Sequence, residues 1–178
     1  MRKTTYLIMA CCSVVFLLII SSYKNTSSTK IDNTPKTTSL KDRINSAQEK
    51  TYHDKVCNVT VPYLDCFDAD TTEAGTARFE YRYDEKTHIR LVMFVEPNIE
   101  GWNIKEAVSN LAVGSERCLK ETDSFFIMTG EMSEVPRYSF LEKCFLVADN
   151  WIDLAVYYPT NKEDDVERFI EIVKNWNP

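Results

Sequence analysis

The sequence predicts an α+β fold with a mainly antiparallel sheet, on three observations. Two stretches, residues 76–96 and 124–158, alternate apolar and polar side chains about polar turns, as hairpin strands do. Two others, residues 103–112 and 161–176, space apolar side chains by three and four, as one face of a helix does. No strand–helix–strand repeat of the parallel type lies between them. The 178 residues suit one domain of ordinary size plus an appendage. With 44% hydrophobic residues and only 4 Gly and 6 Pro, a wholly disordered or low-complexity chain is excluded.

Lys55 to Pro62 is β-branched and stops at a proline, so it predicts a strand. Asp65 to Gly75 is a polar insertion. Thr76 to Tyr83 places Ala77, Phe79, Tyr81 and Tyr83 on one face and Arg78, Glu80 and Arg82 on the other. After the polar turn Asp84–Thr87, His88 to Glu96 returns with Ile89, Leu91, Met93 and Val95 on one side, completing a hairpin. Asn103 with Glu106 three places on is a capping box in its Asn form, and Ile104, Ala107, Val108, Leu111 and Ala112 follow as a buried stripe that Gly114 ends. Ser124–Met132 and Arg137–Ala148 predict two more strands. Asp149–Asn150 predicts a tight turn into the strand Trp151–Tyr158, closed by Pro159. Asn161 is a candidate N-cap, Glu163, Asp164 and Asp165 suit a helix start, and Val166, Phe169, Ile170, Val173 and Trp176 form the last apolar stripe.

The run Trp151–Pro159, its acidic cap and the helix Val166 to Trp176 resemble the closing strand and helix of PsbP-like domains. The middle hairpin leading through Pro97–Trp102 into a helix resembles the same family. The likeness covers about residues 52–177 and rests on element order and aromatic placement, with no catalytic motif. It implies an α/β/α sandwich around an antiparallel sheet, in a family whose members generally serve as binding or assembly factors. No functional residue transfers, and four cysteines in the domain depart from the pattern.

Ahead of the domain, taken as residues 51–178, Arg2 and Lys3 precede Thr4 to Tyr23, twenty residues without a charge. Twenty helical residues rise about 30 Å, the thickness of a hydrocarbon core. The early positive charges keep the start in the cytoplasm and send the rest across, so an extracytoplasmic domain is expected. Three fates fit residues 1–23: a retained signal anchor, a signal peptide cut near Ser21 or Ser22, and a lipoprotein modified at Cys11. The uncharged length favours the anchor; Ile20 is poorly suited to its place before a cut, and the apolar run ahead of Cys11 is short. Residues 24–50 are polar and read as a flexible tether, with a short marginal helix over Ser39–Lys50.

Beyond Cys11 and Cys12, four cysteines remain: Cys57, Cys66, Cys118 and Cys144. In an exported chain an even number predicts disulfides, with Cys57–Cys66 and Cys118–Cys144 favoured among three connectivities. No Cys-x-x-Cys or His-x-x-x-His spacing points to zinc, so no metal site is expected.

Charge is divided unevenly. Residues 1–50 carry 8 basic and 3 acidic side chains, whereas residues 51–178 carry 13 basic and 24 acidic, a net −11. An acidic domain without a basic stripe excludes nucleic acid as an expected partner. No nucleotide, lipase-type or zincin motif occurs, so no cofactor is expected. His53 and His88, the two histidines, are expected to face solvent. The acidic loop Asp65, Asp68, Asp70 and Glu73 departs from a calcium loop at its sixth position, Glu73, and its twelfth, Phe79. Trp151 and Tyr157 share one face of the last strand and form a candidate binding face if no helix covers them.

The expectation is therefore a non-catalytic extracytoplasmic binding or assembly module, held to the membrane through residues 4–23 and meeting an unidentified protein partner, a basic one being a candidate on charge. The alternatives are an inhibitor or immunity protein against a basic partner and a hydrolase.

Overall fold

The computed structural model describes residues 38–132 and 137–178. Among these residues, nine strands and three α-helices follow in the order α1 (Leu40–Ser46), β1 (Glu49–Asp54), β2 (Val59–Leu64), β3 (Asp68–Glu73), β4 (Thr76–Arg82), β5 (His88–Pro97), α2 (Ile104–Leu111), β6 (Arg117–Glu121), β7 (Phe125–Glu131), β8 (Tyr138–Val147), β9 (Asn150–Pro159), a 3₁₀ turn (Thr160–Asp165) and α3 (Glu167–Asn175). Seven strands form one sheet in the order β3-β4-β5-β9-β8-β7-β6, every pair antiparallel, and β1-β2 forms a separate hairpin. The last strand, β9, thus lies at the centre, joining a meander from each half. Its residues Trp151 to Pro159 are buried on both faces.

Strand alternation sends Phe79, Leu91, Met93, Leu141, Leu154 and Val156 to one face. There they meet Phe169 and Val173 of α3, Leu40 and Ile44 of α1, and Val59, Val61 and Leu64 of the hairpin. On the opposite face Ile104 and Ala107 of α2 pack on Phe126, Met128, Cys144 and Trp151. The fold is thus the α+β arrangement of helices on both sides of an antiparallel sheet.

Local chemistry fixes each helix. The Asn103–Glu106 capping box closes as the spacing predicts, each side chain accepting the other residue's backbone N–H at 3.0 Å. Asn98 sets the approach to α2: its Oδ1 accepts from Trp102 N at 3.0 Å and from Trp151 Nε1 at 3.2 Å. The C-terminal carbonyls of α1 accept from Arg168 of α3, whose Nη1 reaches Ile44 O, Asn45 O and Ala47 O at 2.7, 3.0 and 2.7 Å. The start of α3 departs from expectation, because Asn161 caps nothing and the 3₁₀ turn leads in from Pro159. The stripe Val166, Phe169, Ile170, Val173 and Trp176 is buried as expected.

Several boundaries move. Leu40 and Ile44 are buried in the main core, so residues 40–50 belong to the fold and not to the tether. The strand expected at Lys55–Pro62 splits, because Asp54 organises a turn there. Its carboxylate accepts from Val56 N and Cys57 N at 2.9 and 3.1 Å, and Asn58 turns with a φ of 55°. The polar insertion Asp65–Gly75 contains the edge strand β3, and β6 is a second edge strand.

No disulfide forms among the described residues, which corrects both expected pairs. Cys57 sits in the β1–β2 turn and Cys66 beyond the far end of β2; that strand's six residues alone span about 20 Å. Cys118 opposes Met128 while Cys144 opposes Phe126, so β7 runs between them. Two strand spacings, about 9.5 Å, exceed the roughly 7 Å limit for bridged Cα atoms. Cys11 and residues 4–23, the basis of the expected lipidation and anchor, lie outside the described residues. Among the described residues no helix is long and apolar enough to cross a membrane.

Candidate functional site

On the α2 face, three side chains capable of ligation or proton transfer converge where β8 meets β9. Cys144 is directly opposite Asp153, and Glu142 precedes Cys144 by two residues on the same strand face. A carboxylate oxygen of Glu142, the Cys144 Sγ and a carboxylate oxygen of Asp153 all lie within 4.8 Å of one another. The neighbouring strands wall the cluster with apolar groups: Phe94 opposes Asp153 from β5, while Phe126 and Met128 oppose Cys144 and Glu142 from β7. Cys144 and Asp153 are buried and Glu142 is half-buried.

The surroundings push all three groups toward their neutral forms. Burial raises the Glu142 carboxyl from 4.5 to about 7. Burial also lifts Asp153 well above the carboxylate range, with the Glu142 charge adding to it, and lifts the Cys144 thiol, with the Asp153 charge adding. Two further acids border the cluster. Glu96, on the same face of β5, and Glu116, ahead of β6, both stand raised by desolvation and both add to the field on Glu142. Gly130 admits Glu116 to this position: a Cβ there would meet Glu116 Cγ and Phe140 Cε1 at 3.0 Å and Glu116 Cα at 3.2 Å.

The same face changes sign toward the other end of the strands. Arg78, Arg82, His88 and Arg90 share it on β4 and β5. Arg82 and His88 approach Glu80 at 3.6 and 3.7 Å, and Arg90 lies over the rings of Tyr138 and Tyr157 at 5.8 and 5.9 Å. Desolvation and the Arg82 charge lower the His88 pKa. His88 is half-buried here, not facing solvent as expected, whereas His53 pairs with Thr60 in an exposed contact at 3.2 Å. Cys144 has no histidine at hand. The residue across β9 from it is Phe94, and β5 carries His88 about 20 Å from there at 3.3 Å per residue.

The candidate aromatic binding face is overturned. Trp151 and Tyr157 are each 8% exposed. The Trp151 ring packs on Phe126 at 5.9 Å beneath α2, and Tyr157 lies against Phe140 at 6.2 Å and the Arg90 guanidinium. Of the residues singled out from sequence, only Cys144 enters the cluster. Glu142 and Asp153 were missed, although a charged residue amid the Trp151–Tyr158 run was a signal in itself.

What the fold and cluster define is an α+β domain with helices on both sides of an antiparallel sheet and one buried acid–thiol group on the α2 side. Among known proteins, no family model matches the chain and no curated protein matches it. The chain is similar to the solution structure of cyanobacterial PsbP (CyanoP) from Synechocystis sp. PCC 6803, at 12% identity over 72% of this chain and 90% of that chain, with a TM-score of 0.45. The likeness is one of fold.

Proposed function

We propose that the protein is a non-catalytic extracytoplasmic binding module, tethered to the membrane through residues 4–23, whose partner is a basic protein. The observation that carries this reading is the net −11 of residues 51–178. Such a field speeds encounter with a basic surface and repels polyanions. The β3 edge strand supports it by presenting exposed Asp68, Asp70 and Glu73.

The test uses the full chain in its native membrane. Intact cells are treated with protease to read which side the domain occupies, then cross-linked at low and high salt. The expected result is a domain cleaved from outside and a basic partner whose capture falls as salt rises. Capture should also fall when Asp68, Asp70 and Glu73 are changed together to Lys. A protected domain, or capture indifferent to both salt and the charge reversal, overturns the reading.

A further inference from the structure

The Glu142–Cys144–Asp153 cluster has no part in the recognition proposed above, yet burying it is costly. Two carboxyl groups and a thiol share one buried spot, and no ion pair to Glu142 or Asp153 forms among the described residues. Desolvated like-charged groups survive only if protons or a cation neutralise them. Protons alone leave a defect: Asp153 is 8% exposed, and its buried Oδ1 has no hydrogen-bond partner.

We propose that Glu142, Cys144 and Asp153 form a binding site for a zinc-class divalent cation. The donor set selects the metal. A sulfur ligand disfavours magnesium and calcium, which take oxygen, whereas two carboxylates with one thiolate suit zinc or cobalt(II). Ligand atoms around a tetrahedral ion at about 2.0–2.3 Å lie roughly 3.3–3.8 Å apart. The three atoms here, within 4.8 Å of one another, close to that spacing by small side-chain rotations. The backbone need not move, because Cys144 and Asp153 are a paired position on two adjacent strands near the centre of the sheet. A bound cation gives the Asp153 carboxylate the positive partner it lacks, and the metal charge stabilises the thiolate. Glu142 is the least buried of the three, and the Glu96 and Glu116 carboxyl groups near it add negative charge that favours a cation.

The test is a cobalt(II) titration of the full chain in detergent, reduced and stripped with chelator. The expected result is a saturable thiolate-to-cobalt charge-transfer band at one equivalent, displaced by Zn²⁺. Cys144→Ala abolishes the band, Cys118→Ser keeps it, and Glu142→Gln and Asp153→Asn weaken cobalt binding roughly tenfold or more. Failure to form the band, its survival in Cys144→Ala, or unchanged affinity in both carboxamide variants overturns the proposal. Near-ultraviolet circular dichroism confirms that each variant is folded. Should Cys144→Ala misfold, the half-buried Glu142→Gln variant decides the question, since it removes a ligand without changing side-chain volume.

Discussion

Two aspartates are buried among the described residues, and their surroundings are opposites. Asp54, 2% exposed, accepts from three backbone N–H groups: Val56 and Cys57 on one oxygen, Gly75 at 2.9 Å on the other. The Cys57 N–H, with those of Gly75 and Val56, holds its carboxyl below the ordinary value of 3.8. Asp153 is nearly as buried, but its Oδ1 has no partner, and desolvation drives its carboxyl well upward. The difference teaches which buried charge belongs to the architecture. Asp54 ties the β1–β2 turn to the β3–β4 turn and is fully used in doing so, whereas Asp153 is left with unspent ligating capacity.

Changing Asp54 should break this comparison most severely. Asp54→Asn puts an amide donor against a backbone donor and weakens charge-assisted bonds, so a loss of about 3 kcal/mol is expected, measured by urea unfolding. Lys143 is a second satisfied buried charge. Its Nζ donates to Lys174 O at 2.9 Å and Trp176 O at 2.6 Å and lies over the rings of Phe125 and Phe145 at 4.5 and 5.0 Å. Lys143→Met should cost about 2 kcal/mol, with faster hydrogen exchange at the C-terminal end of α3.

pH separates the two aspartates by sign. The folded Asp54 carboxyl lies below its unfolded value, so its contribution is present above about pH 4 and is lost as pH falls through the folded pKa. Glu142 is raised from 4.5 to about 7, so its protonated form favours the fold below 4.5 and that contribution is lost as pH rises through 7. In chelator-treated protein, denaturation midpoints should therefore fall from pH 5 to pH 8, and Glu142→Gln should flatten that fall. The smallest expected effect is for Asp153→Asn, which should leave stability at pH 8 equal or raised by under about 1 kcal/mol, because a neutral group replaces one that is costly to ionise there.

The strands and helices with strong apolar rhythm were legible in the sequence. Phe79-Glu-Tyr-Arg, Leu91 to Val95 and the stripe from Val166 to Trp176 each bury the face their spacing marks. The edge strands were not. β3 reads Asp-Ala-Asp-Thr-Thr-Glu, a sequence with little strand preference, and it is extended because the edge of β4 offers it a ladder. The cysteines were counted correctly but paired wrongly, since an even number says nothing about the strand order that keeps Cys118 and Cys144 on opposite sides of β7.

The sequence by itself determined the fold class, the two helix stripes, the Asn103 capping box and the parity that puts Glu142 with Cys144 and Asp153 with Tyr157. Those depend on local period and capping chemistry, which a chain carries wherever it folds. Only the tertiary structure decided that Asp153 stands opposite Cys144. The hairpin turns at Ala148 and Asp149, with φ of 48° and 62°, one residue earlier than the Asp149–Asn150 turn that the sequence predicts. The later turn would slide the pairing and set Cys144 against Ala155, leaving the acid–thiol cluster unassembled. Register is set by turn geometry and by the packing of both sheet faces together, and neither is written in the residues of β8 or β9 alone.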